Sequence, residues 1–246
     1  MAPNNTYRTG TYNGILLHML RTHASNITLK NLRCEKTLKE FGYYGCNGGF
    51  FNFPNSATNP KRVISLAKVN GGVVGPNSND GNQNNYTGGG VILWNGNSLV
   101  CLFSRPDDDA STMPNTSAYG TWAQGGISFW LGYKGFYNAA INEVGYKPDQ
   151  MVERSTAKRT AMVADLDTDN VYLIATENEC DYIDFRAAIQ SAFDITDGNN
   201  TNSRYKGIML DGGGSTQFRA NRSNGADVTI VQSRKLAEVI VLRNSN

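Results

Sequence analysis

The sequence lacks two features that would define broad classes of partner. It has no apolar run long enough to cross a bilayer as a helix, and it has no block of like charges. Its 23 Lys and Arg residues nearly balance its 21 Asp and Glu residues, so the net charge is +2. Without a cluster of basic residues, the sequence predicts no surface suited to binding a nucleic acid duplex. We therefore expect a small molecule or a glycan as the partner, and neither a membrane nor a duplex.

Histidine and cysteine are also scarce. The two histidines are His18 and His23, no Cys-x-x-Cys pair occurs, and the four cysteines are widely spaced: Cys34, Cys46, Cys101 and Cys180. This pattern argues against a zinc site and leaves open buried thiols or one or two disulfides. The amino terminus lacks the basic and apolar regions of a signal peptide, so we expect a cytoplasmic or phage-encoded protein, unless export takes another route or a leader has been trimmed.

Glycine, by contrast, is abundant. Twenty-six glycines and many asparagines punctuate the chain, which is typical of short strands joined by tight turns. The length suits one large domain, and we predict a single α+β domain over residues 1–246, built on a mixed, strand-rich sheet with few helices.

The apolar runs give an order of elements along this domain. Residues 14–20 and 26–32 read as a pair of strands, 37–41 as a helical turn, and 181–193 as an amphipathic helix. Hairpins are predicted around Asn95-Gly96 and around the turn 165–170, and two apolar strands end the chain at 228–231 and 236–242. His18, inside the first strand, reads as a core or edge residue.

The stretch 208–217 carries the strongest chemical signal. Three apolar residues lead to Asp211, and three glycines then remove side chains so that a ligand can approach the backbone closely. Two hydroxyls follow. We predict that the site lies here, with these residues lining it: Gly212, Gly213, Gly214, Ser215 and Thr216.

A second glycine-rich bend presents an amide beside bare backbone. It contains Asn47, Gly48 and Gly49 between aromatic residues, a surface suited to sugar hydroxyls or phosphate oxygens. The fragment Gly-Cys-Asn-Gly-Gly also occurs in papain-like proteases, but no histidine follows position 23 here, which excludes that chemistry.

Other polar positions are less distinctive. Gly125 and Gly126 form a third glycine pair among aromatics, with a bulged strand as the alternative. Arg159 precedes Thr160 at the start of a hairpin, and its fork of donors suits an anion. Asp107 to Asp109, and the Asp-x-Asp-x-Asp run from Asp165, lack EF-hand spacing, so we predict no metal and no cofactor.

In this order, the blocks Asn-Gly-Gly-Phe-Phe from Asn47, Gly125-Gly126, Arg159-Thr160-Ala161 and Asp-Gly-Gly-Gly-Ser-Thr from Asp211 resemble the phosphodiester glycosidase family. The resemblance covers about residues 40–242. It implies a hydrolase that cleaves the glycosidic bond of a sugar 1-phosphodiester, which could be a glycan cap, a teichoic-acid-like polymer or a nucleotide sugar.

The resemblance also implies roles for individual residues. Arg159 would hold the phosphate, Asp211 would act as base, nucleophile or sugar-orienting carboxylate, and Asn47 would belong to the catalytic set. Substrate binding is expected from the remaining motif positions: Gly48, Gly49, Gly125, Gly126, Thr160, Gly212, Gly213, Gly214, Ser215 and Thr216. The sequence identifies no second carboxylate.

This hypothesis has two alternatives, of which the first requires a longer chain. The Asp-Gly-Gly-Gly-Ser-Thr block is also similar to a phosphate loop of the actin, Hsp70 and sugar-kinase superfamily, but 246 residues do not supply its two duplicated domains. The same fold could instead bind a glycan or nucleotide sugar without cleaving it.

Overall fold

The computed structural model describes residues 5–52, 62–74, 89–104, 117–144 and 155–244. It contains two packed antiparallel sheets. The strands run β1 Thr6–Tyr12, β2 Ile15–His23, β3 Ile27–Asn31, β4 Gly45–Asn47, β5 Phe51–Asn52, β6 Arg62–Val63, β7 Ala67–Val69, β8 Gly72–Val73, β9 Gly89–Trp94, β10 Leu99–Ser104, β11 Trp122–Ser128, β12 Thr160–Asp165, β13 Asn170–Thr176, β14 Tyr205–Met209, β15 Phe218–Asn221, β16 Asp227–Ile230 and β17 Glu238–Leu242.

Ten strands form a large sheet in the order β1-β2-β13-β12-β14-β11-β7-β8, with β9 also paired to β11 and β10 paired to β9. Five strands form a small sheet in the order β16-β15-β4-β17-β3, and β5 pairs with β6 apart from both. The α-helices among the described residues are α1 Leu38–Phe41, α2 Phe136–Val144 and α3 Tyr182–Ala192. The strand-rich α+β class is confirmed.

The central strands of the large sheet, such as β11 and β12, are buried on both faces. One face packs against the small sheet through residues such as Leu173 and Ile208, which meet Phe218 and Ile240. The other face, which carries Val163 and Met209, packs under α3. Strands buried on both sides read as continuous apolar runs, which is why the hydrophobic pattern of β12 to β14 was easy to recognise.

Several predicted elements are confirmed. The helical turn at 37–41 is α1, whose N-cap Thr37 forms a capping box with Glu40. The helix at 181–193 is α3, capped by Asp181, whose side chain accepts a hydrogen bond from the Asp184 amide. Both hairpins form, as β9-β10 and β12-β13.

The predicted pairing of the first two strands was wrong. A 3-10 turn at Ala24–Asn26 carries the chain from one sheet to the other, so β2 pairs with β1 and β13 while β3 pairs with β17. The partner of β2 is the amino-terminal strand β1, joined to it by Asn13-Gly14, both with positive φ. Asn-Gly is a strong hairpin signal, and it was present in the sequence.

Other outcomes concern the polar segments. Helix α2 was not predicted from the sequence, and it brings Glu143 into a buried position. The four cysteines are free thiols. The described residues contain no cluster of three or more potential metal ligands, and no described helix is long and apolar enough to span a membrane. Asp107 to Asp109 lie outside the described residues.

Candidate functional site

Strand β14, which lies between β12 and β11, places Asp211 just beyond its carboxyl end in the large sheet. Ile208, Met209 and Leu210 are buried, and the Leu210 amide still donates to the Thr160 carbonyl at 2.9 Å. At the next residue the chain leaves the ladder, and the Asp211 amide donates instead to the Gly48 carbonyl at 3.3 Å. The two predicted glycine-rich blocks are therefore brought together by a backbone contact.

The Asp211 carboxylate is half-buried beside its own glycine loop. Its Oδ1 accepts the Gly212 amide at 2.9 Å, and the Ser215 side chain is a further hydrogen-bond partner. Burial raises the pKa of Asp211 to about 6, opposed by the hydrogen bonds of Ser215 and Gly212 and by the charges of Arg234 and Arg159. At neutral pH this carboxylate is mostly ionised, yet more basic than an exposed aspartate.

Backbone geometry favours glycine at one of the three positions, and close neighbours leave little room at the other two. Gly213 has φ +59°, in the left-handed region, and opens a 3-10 turn that runs to Ser215. A Cβ on Gly212 would lie 3.1 Å from the Lys158 carbonyl. A Cβ on Gly214 would lie 3.2 Å from the Arg234 guanidinium. The loop is thus a partly exposed backbone shelf with Asp211 at one end.

The Arg159 side chain lies next to this shelf and is held by hydrogen bonds to residues outside it. It is 6% exposed; its Nε donates to the Cys180 carbonyl at 3.1 Å, and Nη2 bonds the Ser155 carbonyl and Oγ. Nη1 makes no hydrogen bond to another described residue and would lie 3.7 Å from a Cβ on Gly212. Burial lowers the pKa of Arg159, while Cys180, Asp181 and Asp211 oppose the shift. The fixed fork leaves one nitrogen available for an anion.

Arg234 contacts the far end of the shelf, at Gly214 and Ser215, and the sequence interpretation did not single it out. It is exposed, and its Nη1 donates to Ser215 Oγ at 3.0 Å while its guanidinium covers Gly214. Its backbone carbonyl accepts Gln217 Nε2 at 2.7 Å, which fixes the residue to the far end of the loop. In the sequence, Arg234 is a cation just before the last apolar strand. Only the sheet topology brings this position near Asp211, so the contact could not be predicted from the local sequence.

Asn47 lies behind the site, and the donor and acceptor groups of its side chain all have partners within the protein. Its Nδ2 donates to the Asp211 carbonyl at 2.8 Å and to the Gly48 carbonyl at 3.1 Å. Its Oδ1 accepts Thr160 Oγ1 at 2.8 Å and the Gln217 amide at 3.0 Å. At 1% exposure it joins the small sheet to the large one and has no donor or acceptor left for a ligand.

The remaining predicted residues fall into two groups. Thr216 is buried and donates to the Lys158 carbonyl at 2.8 Å, so it anchors the glycine loop from below. Gly125 and Gly126 lie inside β11, where a Cβ would meet Leu66 at 2.9 Å and the Met209 carbonyl at 2.4 Å. Close packing accounts for these two glycines. The part of the set that reaches the surface is the shelf from Asp211 to Gly214.

Glu238 is a second buried carboxyl that sequence reasoning did not single out. It is 1% exposed, and its Oε1 accepts the Gly49 amide at 2.8 Å and Gln124 Nε2 at 3.1 Å. The sequence signal was a single carboxylate within the apolar run 236–242. Such a run predicts a buried strand, and a carboxylate is rarely buried without a partner, so this residue indicated a specific contact. It faces the reverse side of the Asn-Gly-Gly bend.

His18 is partnered within the fold, in agreement with its interpretation as a core or edge residue. It is 8% exposed, with Tyr7 Oη 2.8 Å from Nδ1 and Glu177 Oε2 2.9 Å from Nε2. Burial lowers its pKa, and Glu177 acts in the opposite direction.

A partly open cavity of about 210 Å³ lies beside β14, apart from the shelf. Its walls are mostly apolar and include Phe103, Trp130 and Ile208, with the ammonium group of Lys206 at one side. Lys206 precedes Asp211 by five residues of extended chain, which is about 17 Å. None of the residues that line this cavity is a carboxylate, so its chemistry is not that of the shelf.

Comparisons with known proteins support the fold. No protein-family model matches the chain, and no curated protein matches it. The catalytic domain of zebrafish N-acetylglucosamine-1-phosphodiester alpha-N-acetylglucosaminidase, auto-inhibited by its pro-peptide, is similar in structure, with a TM-score of 0.60 and 16% identity over 98% of this chain and 83% of that one. A hypothetical protein from Synechocystis matches at a TM-score of 0.47 and 14% identity, over 96% of this chain and 61% of that one. The first similarity shows that this chain has the fold of a glycosidase catalytic domain.

Proposed function

We propose that this protein is a hydrolase that cleaves the glycosidic bond of a sugar 1-phosphodiester, releasing the free sugar and a phosphomonoester. One observation carries the proposal: Asp211 and two arginines, Arg159 and Arg234, surround a bare glycine shelf. The fold shared with a phosphodiester glycosidase domain supports the same assignment.

The arginines suit the leaving group. When the bond between C1 and the phosphate oxygen breaks, negative charge develops on that oxygen, and a guanidinium stabilises it through charged hydrogen bonds. Arg159 lies next to Gly212 and Arg234 lies next to Gly214, so a phosphate over Gly212 to Gly214 would be within reach of both. Because the leaving phosphate is a weak base, a dedicated general acid contributes less here than in ordinary glycoside hydrolysis.

Asp211 suits the attacking side of the reaction. An ionised carboxylate can take a proton from the water that adds to C1, or can itself attack C1 and form an ester that water then hydrolyses. In both routes one water is consumed, its hydroxyl remains on the sugar and the phosphomonoester leaves with the bonding electrons. Activity should rise with pH through the pKa of Asp211, about 6.

A panel of sugar 1-phosphodiesters, including nucleotide sugars, tests this proposal through release of sugar and phosphomonoester. Arg234→Ala should lower kcat/KM about 10- to 100-fold, because it removes one charged hydrogen bond to the phosphate. Arg234 is exposed, so the variant should unfold at nearly the wild-type urea concentration. Arg21→Ala, at an exposed arginine on β2, is the matched control and should leave turnover unchanged.

Two outcomes would contradict the proposal. If calorimetry detects binding of a panel member that is never cleaved, the protein is a glycan or nucleotide-sugar binding module. If Arg234→Ala and Arg21→Ala behave alike on a cleaved substrate, the phosphate does not lie over the shelf.

A further inference from the structure

The carboxyl group of Glu238 and the amide group of Gln124 face each other in the interior, and each has one oxygen without a partner. Gln124 Nε2 donates to Glu238 Oε1 at 3.1 Å. Glu238 Oε2 and Gln124 Oε1 are buried and make no hydrogen bond to any other described residue. Both residues are at most 1% exposed. Two unsatisfied acceptors on joined groups would be costly, so their joint presence requires a physical cause.

A single proton removes both deficits. A neutral carboxylic acid carries one O–H donor, whereas a carboxylate only accepts, and Gln124 Oε1 is the acceptor that lacks a donor on the facing group. The surroundings do not favour an ionised Glu238. Gln124 is neutral, and among the described residues the titratable group that interacts with Glu238 from the neighbouring strand β4 is the Cys46 thiol, whose pKa burial raises.

We propose that Glu238 is held protonated in the native protein, with its Oε2 hydrogen donated to Gln124 Oε1, and that this neutral pair positions the Gly48-Gly49 peptide behind Asp211. Burial also raises the pKa of Glu238 to about 7, opposed by the hydrogen bonds from Gly49 and Gln124. The positioning role rests on the proposed function, whereas the protonation state does not.

The path from Glu238 to Asp211 is short and consists of backbone contacts. The Gly48 amide donates to the Glu238 carbonyl at 3.1 Å, and the Gly49 amide donates to the Glu238 carboxyl at 2.8 Å. The Gly48 carbonyl, fixed by these two bonds, accepts the Asp211 amide at 3.3 Å. A Cβ on Gly48 would lie 2.4 Å from Glu238 Oε1, so glycine is needed for this approach. Glu238 is thus a positioning residue that never contacts substrate.

Loss of the proton has a defined effect on stability. Because the folded-state pKa lies above the ordinary value of 4.5, the contribution of Glu238 is fully present below pH 4.5 and is lost as pH rises through about 7. The unfolding equilibrium constant of the wild type should therefore rise by on the order of 100-fold between pH 5 and pH 8 from this group alone. Glu238→Gln, which mimics the neutral acid, should lack that part of the rise.

The test combines urea unfolding from pH 5 to pH 8 with a carbon NMR titration of the Glu238 carboxyl in the wild type. Glu143→Gln is the matched control at another buried carboxyl, whose pKa burial also raises to about 7. Glu143 accepts the Gly90 and Ser128 amides and Trp130 Nε1, so an amide nitrogen there would oppose a donor and should destabilise the protein at pH 5, whereas Glu238→Gln should not. A Glu238→Gln variant destabilised at pH 5 as much as Glu143→Gln, or a carboxyl resonance already ionised at pH 5, would overturn the assigned proton.

The activity arm uses any sugar 1-phosphodiester that the wild type cleaves. Wild-type kcat should fall above pH 7 as Glu238 ionises, and Glu238→Gln should keep its low-pH kcat while losing this decline. If the decline persists in Glu238→Gln although the unfolding data confirm the proton, the positioning role is rejected. If no substrate is cleaved, the proposed function fails while the unfolding and NMR results still decide the protonation state.

Discussion

Asp211→Asn is expected to lower kcat on a sugar 1-phosphodiester by about 10²- to 10⁴-fold, the range in which a positioned general base acts. The amide keeps the shape of the side chain but neither accepts a proton from water nor attacks C1. The low-pH limb of the wild-type profile, with its midpoint at about 6, should report the same carboxylate. The measurement is kcat and KM from pH 5 to pH 8, with free sugar as the product.

This variant should fold as well as the wild type, which separates chemistry from stability. Burial raises the folded-state pKa of Asp211 from its ordinary value of 3.8. The contribution of Asp211 to stability is therefore fully present below pH 3.8 and is lost as pH rises through about 6 and the side chain ionises. An uncharged asparagine avoids that loss, and the free energy of unfolding at pH 8 should be unchanged or higher. Sites that sacrifice stability for activity commonly show this pattern.

Asp227→Asn provides the matched control on the small sheet. Asp227 is exposed, ion-paired to Arg219 at 2.8 Å and hydrogen-bonded to Tyr44 Oη at 2.8 Å, and neither partner is a shelf residue. It should retain full activity. If the turnover of the Asp211 variant is within threefold of the control, Asp211 takes no part in the reaction and serves only through its hydrogen bonds in the fold.

Local sequence signals predicted the buried strand and the glycine turn at Asp211 because they are carried by consecutive residues. The apolar run before Asp211 predicts a buried strand, and three glycines predict exposed backbone beyond it, without any long-range information. The same holds for α3, whose apolar spacing and Asp181 cap lie within one segment. These features depend on neighbours a few residues apart, which a sequence displays directly.

Features that depend on sheet topology were not accessible in this way. Arg234 and Glu238 reach the site because β17 pairs with β4, although 189 residues separate Glu238 from its partner Gly49. The pairing of β3 with β17 follows from a turn that changes sheets, and no periodicity specifies that change. The glycine motifs did predict where backbones come close, but whether a glycine faces a ligand or a packed strand depends on the opposing element.

Asn47 illustrates this limit and yields the second large prediction. Asn47→Asp should lower the free energy of unfolding by about 3 kcal/mol or more at pH 8, because a buried carboxylate oxygen would replace the donor that now serves two carbonyls. Those carbonyls belong to Asp211 and Gly48, at 2.8 and 3.1 Å. The loss should shrink at low pH, where protonation restores one donor. Urea unfolding at pH 5 and pH 8 measures both values.

Thr160→Val is the graded comparison, since it removes one of the two donors to Asn47 Oδ1 and should cost about 1 kcal/mol. If Asn47→Asp costs no more than Thr160→Val at pH 8, the hydrogen-bonded position of Asn47 is not what joins the two sheets. If the cost is as large as expected, activity lost in Asn47 variants should follow the fraction folded, with KM unchanged in the folded fraction. A residue that bound substrate would instead raise KM, so this measurement separates support of the shelf from contact with the ligand.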